Sequence, residues 1–212
     1  MFPTRRITTS GGDVFRDEFS LAFDGTNDYV DCGTSATLRT AVFSVAVWVK
    51  FTTNAITGDD PGINTGIVSS ANSSDDTGFS ITKPKSNRIE FRIGDGSVLN
   101  SLHSTTTMIA DRWYHIAMTY DGTTLKGYVD GGLEGSQAEG TYVVSTGHVG
   151  IGKYYAHTTS LLMSGKISDV VYYNKALSAS EAKTIYNSRE PYNHKEGICS
   201  SNLQAWWRMG DG

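Results

Sequence analysis

The sequence predicts an all-β protein, a sandwich, barrel or jelly roll with one short helix near its C-terminal end. Three observations carry that expectation. Apolar and polar residues alternate along several runs, the two-residue period of a half-buried strand. Turn signals rich in Gly, Asp and Asn separate the runs. The composition is 38% hydrophobic and 19% charged with 23 Gly, which excludes a coiled coil, while 11% aromatic residues argue against a disordered chain. At 212 residues the chain suits one domain with arms and can fold without a metal or disulfide staple.

The elements follow in order. Short strands are expected at 20–24 and 29–32. Over 43–51, Phe43, Val45, Val47, Val49 and Phe51 share one face, and Ser44, Ala46, Trp48 and Lys50 share the other. Strands at 65–70 and 79–82 come next, then 88–93, where Ile89, Phe91 and Ile93 oppose Arg88, Glu90 and Arg92. After 98–102, the run 113–120 sets Tyr114, Ile116, Met118 and Tyr120 against Trp113, His115, Ala117 and Thr119. Asp121-Gly122 then turns the chain into a return strand at 125–130, the strongest short-range hairpin signal. Strands at 148–152 and 164–174 precede the helix, where Ser178 with Glu181 three residues on forms a capping box. Residues 189–202 read as a polar loop, as do 53–64 and 71–77. A last strand at 203–209 either opens a further unit or closes this one at an edge. Trp48 and Trp113 are expected between the sheets, and Tyr128, Tyr172 and Tyr173 in the core or on a sheet surface.

Segments taken in order carry a resemblance: Ser20 through Val30, Phe43 through Lys50, Trp113 through Gly122, Leu125 through Gly131, Gly150-Ile151-Gly152, and Gly165 through Glu181. The series resembles the laminin-G-like, concanavalin A-like jelly roll shared with pentraxins. The resemblance implies a two-sheet antiparallel jelly-roll sandwich over residues 18–187, with an N-terminal arm at 1–17 and a C-terminal arm or closing strand at 188–212. The look of the chain, including Trp206-Trp207-Arg208-Met209-Gly210-Asp211-Gly212, is similar to such modules in bacteriophage structural proteins.

Several function classes fall away. Net charge is −4, and the basic residues are too scattered to track a nucleic-acid backbone. No run of about 18 apolar residues offers a membrane span, and no apolar stretch follows Met1–Arg6 as a secretory leader would require. No H-E-x-x-H, G-x-S-x-G or C-x-x-C is present. Gly147 to Lys153 fits a P-loop by count, but Tyr154 stands where Ser or Thr must reach magnesium. A glycosidase needs two carboxylates on one face, whereas Glu90 is flanked there by Arg88 and Arg92 and reads as a surface ion-pair ladder. Cys32 and Cys199 form either one disulfide or two buried thiols.

Two binding chemistries remain. Asp24-Gly25-Thr26-Asn27-Asp28 is rich in the oxygens that calcium takes. The resemblance implies a structural Ca2+ where Asp24 and Asn27 approach Asp169, although the Glu usual beside that Asp is missing; an Asx turn is the alternative. A glycan or a protein partner is expected at Tyr154, Tyr155 and His157, with Asp59 and Asp60 on a second loop. The function expected is a non-catalytic virion structural or decoration protein, multimeric, that contacts other virion proteins or host glycans. The alternative is a carbohydrate-binding adhesion module of a secreted or cell-surface bacterial protein.

Overall fold

A computed structural model describes residues 19–53, 64–70, 76–84, 86–154 and 161–209. Among them the strands are β1 (Leu21–Asp24), β2 (Val30–Asp31), β3 (Phe43–Phe51), β4 (Asn64–Ser69), β5 (Phe79–Pro84), β6 (Arg88–Gly94), β7 (Leu99–Thr107), β8 (Trp113–Tyr120), β9 (Thr124–Val129), β10 (Gly132–Ala138), β11 (Gly150–Ile151), β12 (Lys153–Tyr154), β13 (Leu161–Leu162), β14 (Ser164–Tyr173) and β15 (Leu203–Trp207). One helix, α1, spans Ala179–Tyr186. The strands form two antiparallel sheets, a jelly-roll sandwich. One sheet has the order β1-β14-β3-β8-β9-β10, with β15 also on β14. The other has the order β2-β11-β4-β5-β6-β7. A third, small pair joins β12 to β13.

Alternation decides the core. Phe43, Val45, Val47, Val49 and Phe51 of β3 meet Phe79, Ile81, Ile89, Phe91 and Ile93 of the facing sheet, all buried. The sheets approach so closely that a Cβ on Gly127 would lie 2.2 Å from the Phe91 ring. Trp48 and Trp113 do not lie between the sheets as the sequence suggested. Both alternate outward from β3 and β8, and the Trp48 ring sits 5.1 Å from His115 and 5.8 Å from Tyr186 of α1. Tyr172 is in the inter-sheet core, while Tyr128 and Tyr173 lie on the far side of the sheet.

That far side is covered by a third layer. Ala46, Ala117, Tyr128, Val171 and Tyr173 pack under Leu177, Ala182 and Ile185, with Tyr192, Leu203 and Trp206 at the border. Ser44 fixes the entry to the helix: its Oγ donates to the Lys175 carbonyl at 2.7 Å and accepts from the Leu177 amide at 2.8 Å. The capping box forms as expected, Ser178 Oγ accepting from the Glu181 amide at 3.3 Å and Glu181 Oε2 from the Ser178 amide at 2.8 Å.

Residues 189–202 form the expected polar loop, with Arg189, Lys195, Glu196, Ile198 and Ser200 exposed, but it is anchored to the sheet at its centre. His194 is 1% exposed. Its Nδ1 lies 2.5 Å from the Tyr173 hydroxyl and its Nε2 3.3 Å from Asp169 Oδ2. Trp206 Nε1 donates to the other Asp169 oxygen. β15 then pairs with β14 from Tyr173↔Leu203 to Val170↔Trp207, so the last strand closes this domain.

The sandwich is also tied at its other flank. β10, which the sequence did not announce, carries Glu134, whose carboxylate accepts from the amides and hydroxyls of Thr105 and Thr106 at 2.5–2.8 Å. Both cysteines are free. Burial, with Asp31 adding to it, pushes the Cys32 thiol up to about 12.

Candidate ligand face

The two outer faces of the sandwich differ in kind. One is sealed by α1 and the segment after it, as described. The outer face of the six-stranded sheet is polar. Register places Ser69, Ser80, Arg92 and Ser101 in one row across β4, β5, β6 and β7. A second row runs Gly66, Thr82, Glu90 and His103.

β12 lies directly over the start of this face. A Cβ on Gly66 would stand 2.2 Å from the backbone of Lys153 and Tyr154, so only glycine lets the strand pass. Ser69 Oγ donates to the Lys153 carbonyl at 2.9 Å and fixes it there. Tyr154 is thereby delivered to Arg92, which donates to its hydroxyl at 3.2 Å.

Arg92 links the two rows. Its Nη2 is 2.8 Å from Glu90 Oε2. Burial acts against the guanidinium charge, but Glu90 and then Tyr154 outweigh it and hold Arg92 above its ordinary value. Thr82 Oγ1 donates to Glu90 at 3.4 Å, and His103 Nε2 is 3.5 Å from its other oxygen. Side-chain exposure rises along this line from 6% at Glu90 through 17% at Arg92 to 48% at His103. Ser80 Oγ and Arg92 Nε are buried without a hydrogen-bond partner. The arrangement offers fixed donors and acceptors that shade from buried to open, the pattern that orients a polar ligand.

The expected site residues fare unevenly. Tyr154 does reach this face, but it is 1% exposed and packs beside Leu161, so its ring is not an open stacking platform. Tyr155, His157, Asp59 and Asp60 lie outside the described residues. The calcium trio does not fit the geometry. Asp24 pairs with Ser164 on β14, and Asp169 is five residues further along, about 16 Å at strand rise. Asp24 Oδ1 instead accepts from the Thr26 amide at 2.7 Å and the Asn27 amide at 3.4 Å, the Asx turn. Asp169 is buried against His194 and Trp206. Among the described residues no group of three or more His, Cys, Asp or Glu converges as a metal site. None of the helices there is long and apolar enough to cross a membrane.

Glu90 was visible in the sequence as one member of a charged face, but Glu90 and Arg92 are largely buried rather than a surface ladder. Arg88, the third member, is exposed and stands opposite Thr107. The roles of Thr82, His103 and Ser80 had no sequence signal, because cross-strand register made them neighbours.

Comparison with known proteins agrees with this architecture. Residues 24–183 match the family described as the concanavalin A-like lectin/glucanase superfamily. Comparison with curated proteins gives no match. Among solved structures, the heptameric SAP-like pentraxin of Limulus polyphemus aligns with a TM-score of 0.57 at 18% identity, over 78% of this chain and 80% of that one. The CBM40 module of the Ruminococcus gnavus IT-sialidase, bound to α2,3-sialyllactose, aligns with a TM-score of 0.64 at 14% identity, over 79% and 95%. Domain 4 of AbnA, an extracellular arabinanase of Geobacillus stearothermophilus in complex with arabinotriose, gives 0.60 at 16% identity, over 79% and 76%.

Proposed function

The chain belongs to the concanavalin A-like lectin/glucanase superfamily, and from that premise we propose that it is a non-catalytic carbohydrate-binding module that acts on glycans outside the cell. The observation that carries this reading is the Glu90–Arg92 pair on the outer face of the six-stranded sheet, with His103 open beside it and Tyr154 bracing it. Sugars are recognised by fixed hydrogen-bonding groups, and a guanidinium held by a carboxylate and a phenol is such a group. The same pairing makes Glu90 a poor partner for acid–base catalysis, since its oxygens are engaged by Arg92 and Thr82. The modules bound to sialyllactose and to arabinotriose support a carbohydrate ligand over contacts within a virion. Protein partners and calcium are not needed for this reading.

The test is calorimetric titration with a glycan panel that includes α2,3-sialyllactose and arabinotriose, each checked for hydrolysis. Binding without sugar release is expected. Arg92→Ala and His103→Ala should each weaken it by about tenfold or more, the loss of one or two well-made hydrogen bonds. Binding untouched by both variants, or none across the panel, would overturn the assignment.

A further inference from the structure

We propose that this protein forms a dimer by exchange of its C-terminal segment, so that residues 190–209 of each copy pack on the body of a second copy. The hinge is the observation that carries it. Asn187, Ser188 and Arg189 are three consecutive non-glycine residues with positive φ, at 48°, 53° and 75°. Asn at a helix C-terminus adopts this conformation readily, but Ser and Arg do not. Extended backbone resumes at Glu190, φ −97° and ψ 151°, where Pro191 disfavours a helical conformation. The fold therefore bends the chain back across the seven-stranded sheet through a strained elbow.

Beyond Pro191, whose carbonyl accepts from Asn187 Nδ2, the attachments of the segment are to the body and not to the elbow. His194 meets Tyr173 and Asp169. Trp206 meets Asp169. Asn174 donates its amide to the Asn202 carbonyl at 3.0 Å, and β15 pairs along β14. A second copy offers all of these partners unchanged. Exchange costs the contacts of the elbow itself: Asn187 Nδ2 donating to the Pro191 carbonyl and the Glu190 amide donating to the Asn187 carbonyl, each at 3.0 Å, and Arg189 with Tyr186 and Asp130 at 3.3 and 3.4 Å. It removes the strain at Ser188 and Arg189. A hinge under strain joined to a segment with specific, buried contacts is the arrangement that favours swapping. For a binding module the result is two ligand faces on one particle, which raises avidity.

The experiment places a reporter across the exchanged contact. Asn174→Cys and Asn202→Cys, in a Cys32→Ser, Cys199→Ser background, are refolded at low and high protein concentration, oxidised and run on a non-reducing denaturing gel. The expected result is a covalent dimer whose fraction grows with concentration. Adding Ser188→Gly should lower the dimer-to-monomer ratio by about a hundredfold where monomer predominates, about tenfold for the left-handed residue relieved at each of the two hinges. Adding Ser188→Pro should raise it. Only intrachain cross-links at every concentration, or a covalent dimer indifferent to the Gly variant, would overturn the proposal. If the Pro variant fails to fold, the concentration dependence and the Gly variant still decide it.

Discussion

His115 is buried on the outer side of β8, with its ring 5.1 Å from Trp48 and 5.9 Å from Tyr186 and its Nδ1 without a hydrogen-bond partner. Burial pulls its pKa from 6.5 down to about 4; Asp169 and Asp130 resist that, and His194 adds to it. The folded value lies below the unfolded one. The unfolded chain thus takes up the proton first as pH falls from 6.5, and the folded state loses stability until about pH 4. The full effect is on the order of 3 kcal/mol. Urea unfolding at neutral pH and at mildly acid pH should show this loss, and His115→Leu should flatten it; equal slopes for the two proteins would contradict the assignment. The alternation over 113–120 already put His115 on the face opposite Ile116 and Met118. What it could not show is that α1 seals that face, because a strand's own pattern says nothing of what lies over its polar side.

At the scale of elements, the strands with clean alternation, β3, β6 and β8, were legible residue by residue. β10 was not: Gly-Leu-Glu-Gly-Ser-Gln-Ala has no two-residue period, and its ladder shifts register between Leu133 and Gly135. It is held by its neighbour rather than by its own pattern. Glu134 is the tie. Burial pushes its carboxyl up, but the hydroxyls and amides of Thr105 and Thr106 outweigh that and hold it below the ordinary glutamate value. Its contribution is therefore present at neutral pH and is lost as pH falls through that lowered value. Glu134→Ala should cost about 1–3 kcal/mol in denaturant unfolding at pH 7, and less in strong acid. β12 gives a prediction of another kind. Gly66→Ala must displace the backbone of Lys153 and Tyr154, since a Cβ would stand 2.2 Å from it, closer than any van der Waals contact allows. The far-UV circular dichroism spectrum should survive, whereas glycan binding and the Arg92–Tyr154 contact should not. A variant that binds as the parent does would show that β12 has no part in the site.

For the molecule as a whole, the layers decide what can be removed. The inter-sheet core carries the fold, and the sequence resemblance reached it because core periodicity and turn order are properties of contiguous segments. The candidate site was less legible, since Ser80, Glu90, Arg92 and His103 come together only across hydrogen-bonded strands. The third layer was the least legible: 189–202 is polar, and nothing local announces that His194 is 1% exposed. Deleting residues 190–212 would uncover Tyr173, Val171 and the lower face of α1. The truncated protein should unfold several degrees lower by calorimetry, as the loss of about 1–3 kcal/mol implies for a domain of this size. An unchanged midpoint would show that the segment is only draped on the sheet.

The double occupancy of β14 has a topological consequence. Leu21 pairs with Ile167 and Trp207 with Val170, so β15 ends where β1 begins, three β14 residues apart, about 10 Å. Both run in the same direction along that strand, as two halves of one interrupted edge. A few-residue linker from Met209 to Phe19 would make the ring covalent, and new ends could be cut at the Asp121-Gly122 turn between β8 and β9. Such a circular permutant should keep the same ladders, and its chemical-shift pattern should match that of the parent away from the new junction and the cut.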